Sequence, residues 1–301
     1  MFPATIIASA KYHGQRFIDA FINFLDHGGP ASAGNMAFLA MLSVFPFVLF
    51  LIALSGFFGQ TDKGLEAIEL MLDMIPTEVA SVLEGPIQGV LNNTSGKILT
   101  FSILIALWTA ASGIEAARHA LIQAFGKDFT QAFWRRRLES LIIVIIAAIL
   151  MLVSISIQVI GPTLMTFLSD QFPNVISESI SELWVLLRYL ISPLVLCVGL
   201  FGLYMALTPR RVEKPKKLPG ALMSLAVFML TATGLSTYLK YAGNYDVTYG
   251  SLAGVVILQI FCFIIAIGFI LGAELNASYT RQAMKRAQDA ASKTNKIRLD
   301  E

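Results

Sequence analysis

The chain has 301 residues, 56% of them hydrophobic and only 14% charged, with a formal net charge of +2. A soluble globular domain carries about 25% charged residues, so composition excludes that class. A helical bundle in lipid is the expected outcome, because each helix satisfies its backbone hydrogen bonds within one segment, and the alternating strands of a membrane barrel are absent.

In chain order, residues 1–33 are expected to form a cytoplasmic amphipathic segment. Phe17, Phe21, Phe24 and Leu25 share a helical face, and Gly28, Gly29 and Pro30 break the pattern before the first span. A position in the inner-leaflet interface suits it. Long stretches nearly free of charge follow at 34–58, 140–169, 189–207, 218–239 and 247–273. A shorter one at 98–114 is extended by the helix-forming run 115–125. A bilayer core needs about 20 apolar residues in a helix. The expected fold is therefore all-α, a single-domain polytopic membrane bundle of six transmembrane helices.

The first outer loop, 60–97, is the one large piece between spans. Leu65, Ile68, Met71, Leu72 and Ile75, and after Pro76 also Val79, Val82 and Leu83, recur at helical spacing. Two short amphipathic helices across the outer mouth are expected. The other connections are short and predict antiparallel neighbours. After residue 276 the chain becomes a polar, charged tail, 277–301, expected to continue as helix.

Charge is sorted by side. Lys127, Arg135, Arg136, Arg137, Arg210, Arg211, Lys214, Lys216 and Lys217 lie between spans two and three or four and five, and the tail adds six more basic residues. The opposite connections hold Lys63, Lys97 and Lys240 among many acidic residues. The excess of Lys and Arg on one side places both termini in the cytoplasm.

Ionisable groups at membrane depth are costly and mark candidate sites. Arg188 stands at the outer end of the fourth span, near Glu182, where it either snorkels to headgroups or binds an anion. Glu274 and Asn276 close the sixth span, and Glu115 and Arg118 lie one turn apart at the inner end of the second. These groups are candidates for an inner polar cluster, a cytoplasmic gate or a headgroup site. Pro46 and Pro193 fall inside the first and fourth spans and are expected to bend them, which is also how transporters with inverted repeats mark a midplane site. Gly250 with Gly254, and Gly268 with Gly272, have the spacing that lets helices approach closely. Tyr238, Tyr241, Tyr245 and Tyr249 read as an outer aromatic belt.

Catalytic signals are poor. His13, His27 and His119 lack ligand spacing, Cys197 and Cys262 sit inside spans as packing residues, and no phosphate-binding loop follows a strand. Neither an enzyme nor a cofactor or metal requirement is expected, and nucleic acid is not an expected partner.

Several segments resemble the YihY / virulence factor BrkB family, whose older members were labelled ribonuclease BN. They are Ala37-Phe38-Leu39-Ala40-Met41-Leu42-Ser43-Val44-Phe45-Pro46, then Trp108-Thr109-Ala110-Ala111-Ser112-Gly113 followed by Phe133-Trp134-Arg135-Arg136-Arg137. At the end come Pro219-Gly220-Ala221, Tyr249-Gly250-Ser251-Leu252-Ala253-Gly254 and Gly272-Ala273-Glu274-Leu275-Asn276. Gln123 departs from the Asn common in the family but keeps the amide. The resemblance implies a bacterial inner-membrane protein with six spans and an envelope role. The reading that follows is a transport-type protein acting on envelope lipids or other amphipathic anions, with membrane lipids as partners. The alternative is a non-transporting scaffold whose outer loop recruits an envelope protein.

Overall fold

The structure is a computed structural model that describes residues 4–58, 96–126, 131–171, 178–212, 215–241 and 251–299. Among these the chain is helical throughout: α1 (Ala4–Asp26), α2 (Gly29–Phe58), α3 (Gly96–Phe125), α4 (Phe133–Gln171), α5 (Glu178–Leu207), α6 (Leu218–Tyr241) and α7 (Ser251–Leu299). Among the described residues, three stretches are long and apolar enough to cross a bilayer: Leu190–Leu207, Leu218–Tyr238 and Gly254–Lys285. The other expected spans, 34–58, 98–114 and 140–169, fall on α2, α3 and α4, each of which includes side chains outside the described residues. The expected outer-loop helices of 60–97 also lie outside the described residues, apart from the first turn of α3.

Local chemistry sets the element ends. Gly28 takes a left-handed backbone with φ of 65°, which reverses the chain between α1 and α2. Pro30 then falls in the first turn of α2, where its missing N–H leaves no helical bond unmade. Gly126, with φ of 59°, ends α3 in the same conformation, and its N–H reaches the Gln123 carbonyl at 3.0 Å. Helix α2 continues through Pro46 and α5 through Pro193, so neither proline interrupts its helix.

α7 is the hub. It packs on α6, α2, α1 and α3, while α2 lies along α3, and α4 joins α3 to α5. At 49 residues α7 is about 74 Å long, more than twice a hydrocarbon core, so it must project well beyond any membrane it crosses. It passes residue 277 without a break, and Ala277, Ser278 and Thr280 remain buried in the bundle.

The polarity of the bundle is inverted relative to a soluble protein. Its core is built largely from alanine (Ala33, Ala37, Ala117, Ala120, Ala124, Ala221, Ala273) around Phe24, Leu121, Tyr204, Phe269 and Ile270. Ile142, Ile145, Ile146 and Ile149 on α4, and Leu194, Val198 and Met205 on α5, point outward. Small residues let helices approach where lipid removes the hydrophobic drive for association, and large aliphatic residues face the acyl chains. This is a membrane protein.

α1 continues the theme at one end. Ala20 and Phe24 are buried, whereas Phe17, Ile18, Phe21, Ile22 and Leu25 form a second stripe, each about half exposed. Phe24 therefore belongs to the packed face and not, as its spacing suggests, to the outward one. Phe24, in the last turn of α1, is drawn inward because it rests on Gly29, where any Cβ would collide with its ring.

Candidate functional site

Buried polar groups gather at the end of the bundle that carries the α1–α2 turn, the α3–α4 connection, the α5–α6 connection and the tail half of α7. Two clusters form there.

The first is built on α3 and α4. Arg118, on the alanine-rich inner half of α3, is 6% exposed. Its Nε donates to Glu115 Oε2 at 3.2 Å, its Nη1 to Glu139 Oε2 at 3.2 Å, and its Nη2 lies 3.4 Å from Ser140 Oγ. Arg136 Nη1 sits 3.1 Å from Glu115 Oε1. Glu139 also receives Arg210 Nη2 at 3.1 Å and Gln131 Nε2 at 3.4 Å, with Arg135 Nε 3.7 Å away. Arg137 turns the other way. Its guanidinium lies 3.9 Å over the Trp108 ring, and it donates to the Trp108 carbonyl at 2.5 Å and to Ser112 Oγ at 3.1 Å. Burial pulls that guanidinium below its usual value while Glu115 pulls the other way; it stays charged, as arginine does in proteins. Arg118, Gln131, Arg136, Glu139, Thr208, Pro209 and Arg210 line a cleft of about 40 Å³.

The second cluster is built on α7. Glu274 is 1% exposed, with Oε1 2.6 Å from Nδ1 of His27 in the α1–α2 turn. One proton must lie between those atoms. Oε2 accepts no hydrogen bond, and Arg281 Nη2 stands 3.8 Å from it. Arg281 is turned partly toward the C-terminal end of α3, where its Nη1 lies 3.3 Å from the Ala124 carbonyl. Two residues beyond Glu274, Asn276 Oδ1 accepts the Gly220 N–H at 2.7 Å, and Thr280 Oγ1 accepts the Lys216 N–H at 2.9 Å. Both bonds cap the start of α6, whose first N–H groups have no helical acceptor.

Deeper in, Tyr204 is fully buried. Its hydroxyl donates to the Phe269 carbonyl at 2.6 Å and shares a 2.7 Å hydrogen bond with Ser224, while its ring stacks on Phe269. Gly220 and Gly272 mark the point where α6 meets α7: a Cβ on Gly220 would strike the Gly272 carbonyl, and one on Gly272 would strike the Tyr204 hydroxyl. Gly268 faces the Val227 side chain just as closely.

Of the residues singled out from sequence, Glu115 and Arg118 meet in the first cluster, and Glu274 and Asn276 stand in the second. They do not form one network: the partners of Glu274 are His27 and Arg281. Gly268 and Gly272 make the close approach expected of them, Gly254 is buried, and Gly250 lies outside the described residues. Arg188 belongs to α5, but its side chain lies outside the described residues, as do those of Glu182, Pro46, Tyr241, Tyr245 and Tyr249. Sequence reasoning missed His27, Glu139, Arg281, Tyr204 and Ser224. The available signal for Glu139 was its isolation as the lone acid after three consecutive arginines. Among the described residues no three of His, Cys, Asp and Glu assemble as metal ligands.

The segments that carried the family resemblance meet each other in space. Trp108 and Ser112 hold Arg137, and Gly220 docks on Gly272 and Asn276. Fold and site together define a helical membrane protein with its charged clusters gathered at one end. The chain belongs to the Virulence factor BrkB family, whose pattern matches residues 20–297. It is 30% identical to the putative ribonuclease-like protein YfkH of Bacillus subtilis, over 86% of this chain and 93% of that one. UPF0761 membrane proteins of Pseudoalteromonas atlantica and Aliivibrio salmonicida are 25% and 24% identical, over 86% and 82% of this chain and 84% and 77% of theirs. No solved structure matches the chain.

Proposed function

We propose that the protein is a transport-type protein of the bacterial inner membrane that moves envelope lipids or other amphipathic anions, with six spans and both termini in the cytoplasm. It has no catalytic centre or cofactor in this reading, and its partners are the lipids themselves. The carrying observation is Glu274: a carboxylate 1% exposed inside the apolar stretch Gly254–Lys285, with one oxygen held by His27 and the other accepting no hydrogen bond. Burial of this kind is costly in lipid, and an ionisable group within a span is by default a candidate for a substrate or ion pathway. The arginine-rich cleft of the other cluster, at the same end of the bundle, supplies the positive charge that an anionic headgroup needs.

The test is lipid movement between leaflets in liposomes carrying the purified full-length protein. Acceleration by the wild type, abolished by Glu274→Ala or by Arg188→Ala, supports transport. No acceleration by demonstrably folded protein would favour a non-transporting scaffold for an envelope partner. The ribonuclease-like name of the Bacillus relative offers a competing enzymatic reading. RNA hydrolysis that survives stringent purification and is lost on one carboxylate substitution would establish it instead.

A further inference from the structure

The α3–α4 cluster holds more positive charge than its ion pairs need. Four guanidinium groups, from Arg118, Arg135, Arg136 and Arg210, surround the two carboxylates of Glu115 and Glu139. The two acids are not equivalent. Glu115 is held on the inner side by Arg118 and Arg136, both largely buried. Glu139 is a quarter exposed and lies toward the cleft, and its partners Arg135 and Arg210 are both more than 60% exposed. Donors from α3, from the α3–α4 connection, from α4 and from the α5–α6 connection therefore converge on one carboxylate. The cleft lined by Arg118, Gln131, Arg136, Glu139 and Arg210, about 40 Å³, has room for about three waters, on the scale of a tetrahedral oxyanion.

We propose that this cleft is a binding site for a phosphate-type oxyanion, with the Glu139 carboxylate occupying the anion position as a tethered stand-in. The phosphate takes the hydrogen bonds of Arg210 and Gln131, with the charge of Arg135 close by, while Arg118 stays anchored through Glu115. Arginine suits the role because its planar fork binds two oxygens of one anion. The proposal deepens the lipid-transport reading by naming the group recognised, but binding at the cleft requires no movement of lipid, so either idea can fail alone.

The stand-in role makes a signed prediction. Glu139→Gln keeps the side-chain shape and removes the competing charge, so phosphate should bind about tenfold more tightly, the equivalent of one charge-assisted hydrogen bond. Arg210→Gln, at an exposed position, should weaken it by about tenfold. Both variants and the wild type are measured as full-length protein in an uncharged detergent, by thermal unfolding against sodium phosphate and against sodium chloride at matched ionic strength. A phosphate-specific rise in Tm that is tightened in Glu139→Gln and weakened in Arg210→Gln supports the site. Equal effects of phosphate and chloride, or a Glu139→Gln protein with no gain in phosphate binding, overturn it and leave a purely structural ion-pair network. A parallel titration with monomeric dihexanoyl phosphatidic acid identifies the source. Tighter binding than inorganic phosphate assigns a lipid headgroup, and equal binding assigns free phosphate.

Discussion

Arg118 joins α3 to α4 from a position almost closed to water, and its two carboxylate partners come from different helices. Removing one member of a buried charge network leaves the others uncompensated, so Arg118→Ala should destabilise the folded protein by about 3–5 kcal/mol. Arg135 contacts the same Glu139 at 3.7 Å but is 63% exposed, and Arg135→Ala should change stability by less than about 1 kcal/mol. Chemical unfolding of the two variants in detergent checks the contrast; equal losses would mean that the network is not where the stability lies. Tyr204 presents a neutral version of the same problem. Tyr204→Phe keeps the stack on Phe269 and deletes the hydroxyl shared between Phe269 and Ser224. It should cost about 1–2 kcal/mol, the upper range for a hydrogen bond between membrane helices.

At the scale of elements, the α6–α7 crossing is governed by the absence of side chains. Gly272→Val would drive its methyl groups into the Tyr204 hydroxyl, the Gly220 carbonyl and Ser224. Overpacking of that kind costs about 1–3 kcal/mol, and the loss should appear as a lower Tm. Gly113→Ala on α3 is the control: nothing lies within 4 Å of the added Cβ, and the helix should gain about 0.5–1 kcal/mol. α1 behaves differently because its outward apolar stripe stays about half exposed. Each large apolar side chain left in water would forgo about 1.5–3 kcal/mol, so the stripe of Phe17, Ile18, Phe21, Ile22 and Leu25 should lie in the membrane interface. An Ile22→Trp protein in liposomes should emit at short wavelength and be quenched by brominated lipid. Emission like that of a water-exposed tryptophan would place α1 away from the bilayer.

For the whole molecule, the charged clusters, the α1–α2 turn and both basic connections fall at one end, which is where the excess of Lys and Arg places the cytoplasm. A fluorescent reporter fused after Glu301, which folds only in the cytoplasm, should therefore glow, whereas a periplasm-dependent reporter at the same point should stay silent; the reverse would invert the topology. The helical, membrane-embedded character was legible in the sequence alone, because about 20 uncharged residues in a row have few alternatives to a helix in lipid. So were Gly268 and Gly272, since close approach needs residues without side chains at four-residue spacing. Pairings were not legible. Glu274 finds His27 across 247 residues, and Glu139 finds Arg210 across 71. Periodicity reports which face of a helix a residue occupies, but the partner on that face depends on how helices distant in sequence are docked. Those contacts, and the cleft they enclose, were decided only by the tertiary structure.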